Sequence, residues 1–344
     1  MSTEPSAVDT RLALLEKLGD PLPRLDALID WESFRPVLAR VYRKKRKSPA
    51  GRKPYDVLLM FRLLVLQHLY NLSDEQTEYQ VRDRLSFMRF VGLTLEDKVP
   101  DARTIWLFRE RLKERELVER LFERLLVQID SAGFHARKGQ ILDASIVAAP
   151  RQRNTPNENA AIKAGEEPPG WADKPDAMRR QKDTEARWTK KHGRSHYGYK
   201  NHVCVDVAGK FVRRYFVSDA AVHDSLVVRE LLDPRNTSAD VWADSAYRSE
   251  QIESLLEERS YRSHISRKGQ SGRPLGPRQK AANRTRAKVR ARVEHTFAEH
   301  EAMGGKKVRT IGLARAWVKI GLMNLVGNLR RLEVLTRRRA AALA

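Results

Sequence analysis

The sequence predicts a mixed α/β sheet flanked by helices, preceded by an all-helical N-terminal region. Three observations carry this. Over residues 55–133 the apolar residues recur mostly at helical spacing. At Gly139 the hydrophobic period drops from that of a helix to that of a strand. Beyond it the pattern reads strand, strand, strand, helix, strand, helix, strand, helix, which suits a three-strand meander followed by alternating elements.

In the helical region, Val57, Phe61, Leu64 and Leu69 lie near one face of a first helix. Ser73 and Gln76 form an S-x-x-Q capping box that opens a second, through Val81 and Leu85. Asp101 is a good N-cap for a third, with Ile105, Leu107, Phe108 and Leu112 following at mostly helical spacing. Leu117, Leu121 and Leu125 continue the pattern to a stop at Gly133. Arg103, Arg109, Arg111 and Lys113 should lie exposed on the 101–114 helix, the candidate recognition helix of a helix-turn-helix-like module. A plain helical bundle fits equally well.

In the second part, QILDASIV (140–147) reads as a strand. HYGYKNHVCVDV (196–207) and KFVRRYFVSD (210–219) read as a hairpin turned at Gly209. DSLVVRELL (224–232) reads as a helix capped by Asp224 or Ser225, ADVWADSAY (239–247) as a buried strand, SEQIESLLEER (249–259) as a helix and YRSHIS (261–266) as a last strand. A long helix is expected from about Gln279 to His300, broken by MGGKK (303–307), before an apolar C-terminal helix. Residues 150–195 carry no hydrophobic period and read as a loop or insertion. The expected division is a lead-in with a basic linker over 1–54, a helical domain over 55–135, an α/β domain over 136–302 and a C-terminal helical extension over 303–344. The linker RKKRKSPAGRK (43–53) suits either a solvated loop or a DNA-contacting arm.

Lys+Arg is 66 against Asp+Glu 44, a net charge of +22 over 344 residues. Such an excess points to a polyanion, nucleic acid first and an anionic membrane surface second. The single cysteine, Cys204, excludes an internal disulfide framework and a cysteine zinc site, and its apolar setting suits a buried strand residue. MSTEPSAVDT lacks the pattern of a secretory signal, and VLLMFRLLVLQHLY is interrupted by Arg62, Gln67 and His68. A soluble cytoplasmic protein is expected.

Three acids stand out. Asp143 lies inside an apolar strand, where a charge is costly unless paired or bound to metal. Asp244 ends the segment DVWADSAY. Glu294 closes a stretch, Arg259 to Val293, that holds no acid at all. Each has a plainer reading: Asp143 as a structural acid, Asp244 as a turn cap, Glu294 as the partner of Arg290 one helical turn back. Together, in a basic chain, they suit divalent-metal phosphoryl chemistry, because hard cations take carboxylate oxygens and leave room for phosphates. Val289, Val293 and Phe297 should form the buried stripe of that helix, with Arg286, Arg290 and Glu294 as the adjacent one. The guanidiniums suit bidentate phosphate contact.

On these motifs the chain resembles bacterial insertion-sequence transposases of the DDE type, in the group named after insertion sequence five. LDASIV carries the first family aspartate at Asp143, ADSAYRS the second at Asp244 and RARVEHTF the glutamate at Glu294. HYGYKNHVCVD and VSDAAVHDS match intervening segments, and the region 55–133 resembles the family's N-terminal domain. The resemblance implies an RNase H-like core in which Asp143, Asp244 and Glu294 ligate two Mg2+ ions, with Mn2+ as a substitute. Water would cut the phosphodiester at the element end, and the freed 3′-hydroxyl would attack target DNA. It also implies binding to terminal inverted repeats in double-stranded DNA, a homodimer or larger assembly on DNA, no membrane, and a place at the bacterial nucleoid. In the family's Tyr, Arg, Glu, Lys pattern, Arg290 is present, but Ala287 and Glu301 stand at the tyrosine and lysine positions, with Lys306 and Lys307 as substitutes.

Further readings remain open. His223 and Asp224 are either neighbours of the site or, for Asp224, a helix cap. Lys200 and His202 face DNA or a solvated sheet edge. Trp188 stacks on an unpaired base or anchors a loop. The competing functions are a catalytically inactive or domesticated DNA-binding regulator and an RNase H-like nuclease.

Overall fold

The computed structural model describes residues 6–42, 53–150, 152–191, 193–269 and 274–343, so the basic linker, Lys53 excepted, lies outside the described residues. The chain divides into two compact units, Met1–Ala132 with Leu325–Ala344, and Gly133–Asn324.

The first unit is helical. It holds α1 (Ala7–Lys17), α2 (Leu22–Leu28), α3 (Arg35–Leu38), α4 (Val57–Leu69), α5 (Asp74–Asp83), α6 (Leu85–Val91), α7 (Ala102–Glu114) and α8 (Val118–Ser131). Residues 6–42, expected as a mixed lead-in, are largely helical, and they contribute to the core. Trp31 and Phe34 are buried, with ring centroids 6.1 and 5.1 Å from Phe61 on α4. Pro21, Pro23 and Pro36 cut this stretch into short helices, so no long hydrophobic period survives in the sequence. α4 is buried almost all round, as befits a central helix. Both expected N-termini are present: the Ser73–Gln76 capping box of α5, and Asp101, which accepts the Thr104 amide at 2.7 Å to start α7.

The second unit is built on one sheet. Its elements are β1 (Gln140–Ala148), α9 (Pro156–Ala164), α10 (Asp176–Arg179), β2 (Arg187–Lys191), β3 (Arg194–Asp206), β4 (Val212–Asp219), α11 (Val228–Leu231), β5 (Asp240–Trp242), α12 (Glu250–Glu258), β6 (Arg262–Ser263), α13 (Pro277–Arg290), α14 (Val293–Ala302) and the start of α15 (Leu313–Ala341). The sheet runs β2-β3-β1-β5-β6, with β4 also pairing with β3. β1, β3 and β4 form the expected antiparallel meander, and β5 and β6 add on in parallel beside β1. This is the mixed α/β class the sequence predicts. α11 and α12 cover the sheet through Leu142, Cys204, Val228, Leu231, Val241, Ile252 and Leu256. At the start of β1, Gly139 has φ +88°, and a Cβ there would lie 2.3 Å from the Trp242 ring, so glycine is what lets β5 come close.

Two expectations change. The stretch 150–195 is structured by polar groups instead of an apolar stripe. Thr155 and Glu158 form the capping box of α9. Glu158 also takes the Trp171 indole at 2.7 Å and the ammoniums of Lys174 and Lys182, which hold its carboxyl at about 2. Buried Asp183 accepts the Tyr199 hydroxyl at 2.7 Å and the amides of Glu185, Ala186 and Gly312.

The helix expected from Gln279 to His300 is broken at Ala291–Arg292. Arg292 N and Glu294 N bond three residues back, to Val289 O and Ala291 O. α13 buries no residue, whereas α14 buries Val293, Thr296 and His300. The single stripe expected of Arg286, Arg290 and Glu294 is thereby interrupted.

Candidate active site

Asp143 is the fourth residue of β1, paired in register with Val203, between buried Leu142 and Ala144. Its own side chain is 21% exposed. One carboxylate oxygen accepts the Ala144 amide at 2.8 Å, and Arg290 Nε lies 3.9 Å from the other. Burial pushes this carboxyl up to about 6. The negative charge of Asp244 adds to the push, while the Ala144 amide, Arg290 and Lys191 oppose it.

Asp244 lies two residues beyond β5 and caps the 3-10 turn Ser245–Tyr247, accepting the Ala246 amide at 2.8 Å. The capping geometry and the nearness to Asp143 coexist. In the parallel register Ile141 pairs with Trp242, and Asp143 and Asp244 each lie two residues further on, Asp143 within β1 and Asp244 just past the carboxyl end of β5.

The structure thus brings together Asp143, Asp244 and Arg290. It does not bring Glu294 to them. Glu294 is exposed in the first turn of α14, and Arg290, the partner expected for it, turns to Asp143 instead. Among the described residues no three His, Cys, Asp or Glu side chains are close enough to hold a metal ion. The donor set therefore fits a hard cation in part: two like-charged carboxylates adjoin, offset by the guanidinium of Arg290 at 3.9 Å and by the charge of Lys191, and among the described residues a third donor is not in place.

Beside this pair the sequence reading missed Tyr247. The residue is 1% exposed, and its hydroxyl has no hydrogen-bond partner among the described residues. Burial holds it well above the usual phenol range, reinforced by the charges of Asp224, Asp143 and Asp244. Its signal in the sequence was its place three residues after Asp244.

Lys200 and His202 do not face outward. Lys200 Nζ donates to Val222 O at 2.7 Å and to Asp224 at 2.9 Å. His202 is fully buried, with Nε2 2.8 Å from Ser218 Oγ and Nδ1 3.7 Å from Asp224, and burial lowers its pKa to about 4. Nor does Asp224 or Ser225 cap the helix after it. That cap is His223, whose Nδ1 accepts the Ser225 amide at 3.4 Å, while Asp224 spends its carboxylate on Lys200.

Arg286 is half-buried and donates to Asn283 Oδ1 at 3.3 Å. Lys306 pairs with Glu301, and its carbonyl accepts the Ala148 amide at 2.8 Å, joining this segment to the end of β1. Trp188 donates its indole to Asn154 O at 2.8 Å and anchors β2. Cys204 is buried and donates to Gln140 Oε1 at 3.1 Å; burial pushes its thiol up.

In the first unit, Arg103 on α7 is exposed. Arg109, expected beside it, is not: it makes a two-pronged pair with Asp74 at 2.7 Å on each prong and also bonds Gln67 at 3.0 Å. Leu107, expected in the core, is 39% exposed beside Trp106.

Residues 134–329 match the family model described as the transposase DDE domain, and residues 10–111 match one described as a transposase domain of the DUF772 type. The first match spans more than half of the chain, and the chain belongs to the DDE transposase family. It is a DNA transposase of the insertion-sequence kind, an enzyme of the polynucleotidyl-transferase type. Transposases of this family generally use divalent metal ions. The chain is also similar to a solved structure, the cryo-EM structure of the piggyBac transposase synaptic complex with hairpin DNA. The TM-score is 0.47 and the identity 12%, over 94% of this chain and 76% of that one. Among the described residues no helix is long and apolar enough to cross a membrane.

Proposed function

We propose that this transposase binds the terminal inverted repeats of its own insertion sequence, in the group named after insertion sequence five, and performs metal-dependent strand cleavage and strand transfer. The observation that carries this reading is the pair on neighbouring strands: a carboxylate costly to ionise, Asp143, kept beside a second one, Asp244. A fold retains such a pair where a cation is to be held.

Asp143 and Asp244 are the residues to hold the metal, with Glu294 the third donor, and Mg2+, as two ions replaceable by Mn2+, is the proposed identity. When bound, the metal supplies charge stabilisation at the attacking and leaving oxygens of the phosphodiester. The chain's own part is positional. The β1–β5 pairing holds the two strand acids at a set spacing. Arg290, 3.9 Å from Asp143, is placed to offset the acids when no cation is present and to reach a phosphate oxygen when one is. Arg286 and the other cations of α13 line the approach for the DNA backbone. Glu294 must move from its exposed place to join the pair, and the junction at Ala291–Arg292 is the hinge for that movement.

The helical part, about 55–135, is proposed to contact the repeat through Arg103 and its neighbours on α7, and about 136–302 to carry the catalysis. Joining two ends calls for a dimer or larger assembly on double-stranded DNA, at the nucleoid of a bacterial cell.

The test is an end-joining assay with the full chain, a duplex carrying the repeat that brackets the gene, a target plasmid and Mg2+. Joined end–target products are expected. Cutting without joining would make the chain a nuclease, and binding without cutting a regulator.

A further inference from the structure

The β2–β3 hairpin ends in a basic turn. Lys191 and Arg194 face each other across the turn at Gly193, and His196 follows opposite Thr189. Together with Ile146 of β1 these three residues line a cavity of about 450 Å³. Among the described residues its lining holds no acid.

Among the described residues none of Lys191, Arg194 and His196 is in an ion pair, whereas other cations inside this unit are spent on acids: Lys200 on Asp224, Lys182 on Glu158, Arg213 on Asp206. Cations gathered around a concavity, without an acid, repel one another unless an anion enters.

One residue of its lining, Lys191, reaches the site just described. Lys191 Nζ donates to the carbonyl of Ala144, the residue after Asp143, at 3.4 Å. The volume lies within the usual range of small-ligand pockets, about 300–1,000 Å³, so it admits a phosphate together with its sugar. A DNA strand carries a phosphate about every 3.4 Å along the helix axis. A strand with its scissile phosphate at Asp143 therefore carries another within reach of Lys191.

We propose that this cavity is a subsite for a backbone phosphate of the strand being cut, about one or two nucleotides from the scissile bond. Lys191 and Arg194 make the charge-assisted bonds to its oxygens, His196 donates an N–H, and Ile146 packs against the sugar. The subsite rests on the reading of Asp143 as the cutting site. It also accounts for the order in the region 150–195, where the polar scaffold around Glu158 and Asp183 holds the hairpin whose tip grips the strand.

The test measures binding of the full chain to the repeat duplex over a salt series, with wild type, Lys191→Gln/Arg194→Gln and the charge-keeping Lys191→Arg/Arg194→Lys. The slope of log affinity against log salt should fall by about 1 in the first double variant, since one phosphate contact is lost, and stay near wild type in the second. Duplexes with one uncharged methylphosphonate linkage then locate the contact. Wild type should lose affinity when the linkage beside the cut is neutral, and the glutamine variant should be indifferent to it. An unchanged slope overturns the subsite. So does a changed slope with undiminished sensitivity to that linkage, which places the contact elsewhere. If wild type does not bind the repeat at all, the end-binding reading fails on wild type alone, and the subsite falls with it.

Discussion

Asp143→Asn is expected to abolish strand cleavage and, at the same time, to make the metal-free protein more stable. The two effects have one cause. The Asp143 carboxyl is pushed up to about 6 because the ionised form is poorly solvated and lies near Asp244. A folded-state value above the unfolded one means that folding favours the protonated acid. The cost of ionisation is absent below about pH 4, grows as pH rises, and is complete above about pH 6. With the side chain 21% exposed, and the shift discounted for solvent, that cost is about 2 kcal/mol at pH 8.

Asparagine keeps the oxygen that accepts the Ala144 amide and carries no charge. In urea unfolding with a chelator present, the variant should gain about 2 kcal/mol at pH 8 and nothing near pH 3.5. Cleavage should fall by about 10³-fold or more, because a lost metal ligand removes several kcal/mol of transition-state stabilisation. A variant less stable than wild type at pH 8 would show that Asp143 is a structural acid.

Glu294→Gln should differ in one respect. Glu294 is exposed and its side chain makes no hydrogen bond or ion pair among the described residues, so unfolding free energy should stay within about 0.5 kcal/mol of wild type. Affinity for the repeat duplex should also hold, since the basic groups of α13 are untouched. Cleavage should nevertheless fall by about 10³-fold, as for the strand acids. Single-turnover cutting beside a binding titration separates these quantities. Wild-type cutting by this variant would mean that the third oxygen donor comes from another residue. It would also mean that the junction at Ala291–Arg292 is a fixed bend, with no part in assembling the site.

Much of this fold was legible in the sequence, and the reasons are local. An acid inside an apolar alternation, as at Asp143, is conspicuous because burial and charge conflict within a few residues. The capping boxes and the meander β1-β3-β4 likewise depend on near neighbours.

What escaped depends on partners distant in sequence. A helical wheel puts Arg103 and Arg109 alike on the surface of α7, but only the folded chain brings Asp74 to Arg109. Strand alternation puts Lys200 on the same face as buried Cys204, and only the folded chain brings Asp224 there to receive its ammonium. The break between α13 and α14 carries no Gly or Pro, so RARVEH keeps a helical rhythm while its hydrogen bonds switch from four residues back to three. The region 150–195 hid its order because Glu158 and Asp183 organise it through hydrogen bonds, which leave no hydrophobic period. Tyr247 was overlooked because its importance is positional, and nothing in ADSAYRS marks its hydroxyl as lacking a partner.

The most direct measurement asks whether Asp244 holds a metal. Cutting of the repeat duplex by Asp244→Cys should be compared in Mg2+ and in Mn2+, with Asp244→Ala as control. A thiolate is a poor ligand for Mg2+ and a better one for softer ions. The expected result is no cutting by Asp244→Cys in Mg2+, partial cutting in Mn2+, and none by Asp244→Ala in either. Equal cutting by Asp244→Cys and Asp244→Ala in both metals, at or near the wild-type rate, would contradict the metal role and leave Asp244 as the cap of its turn.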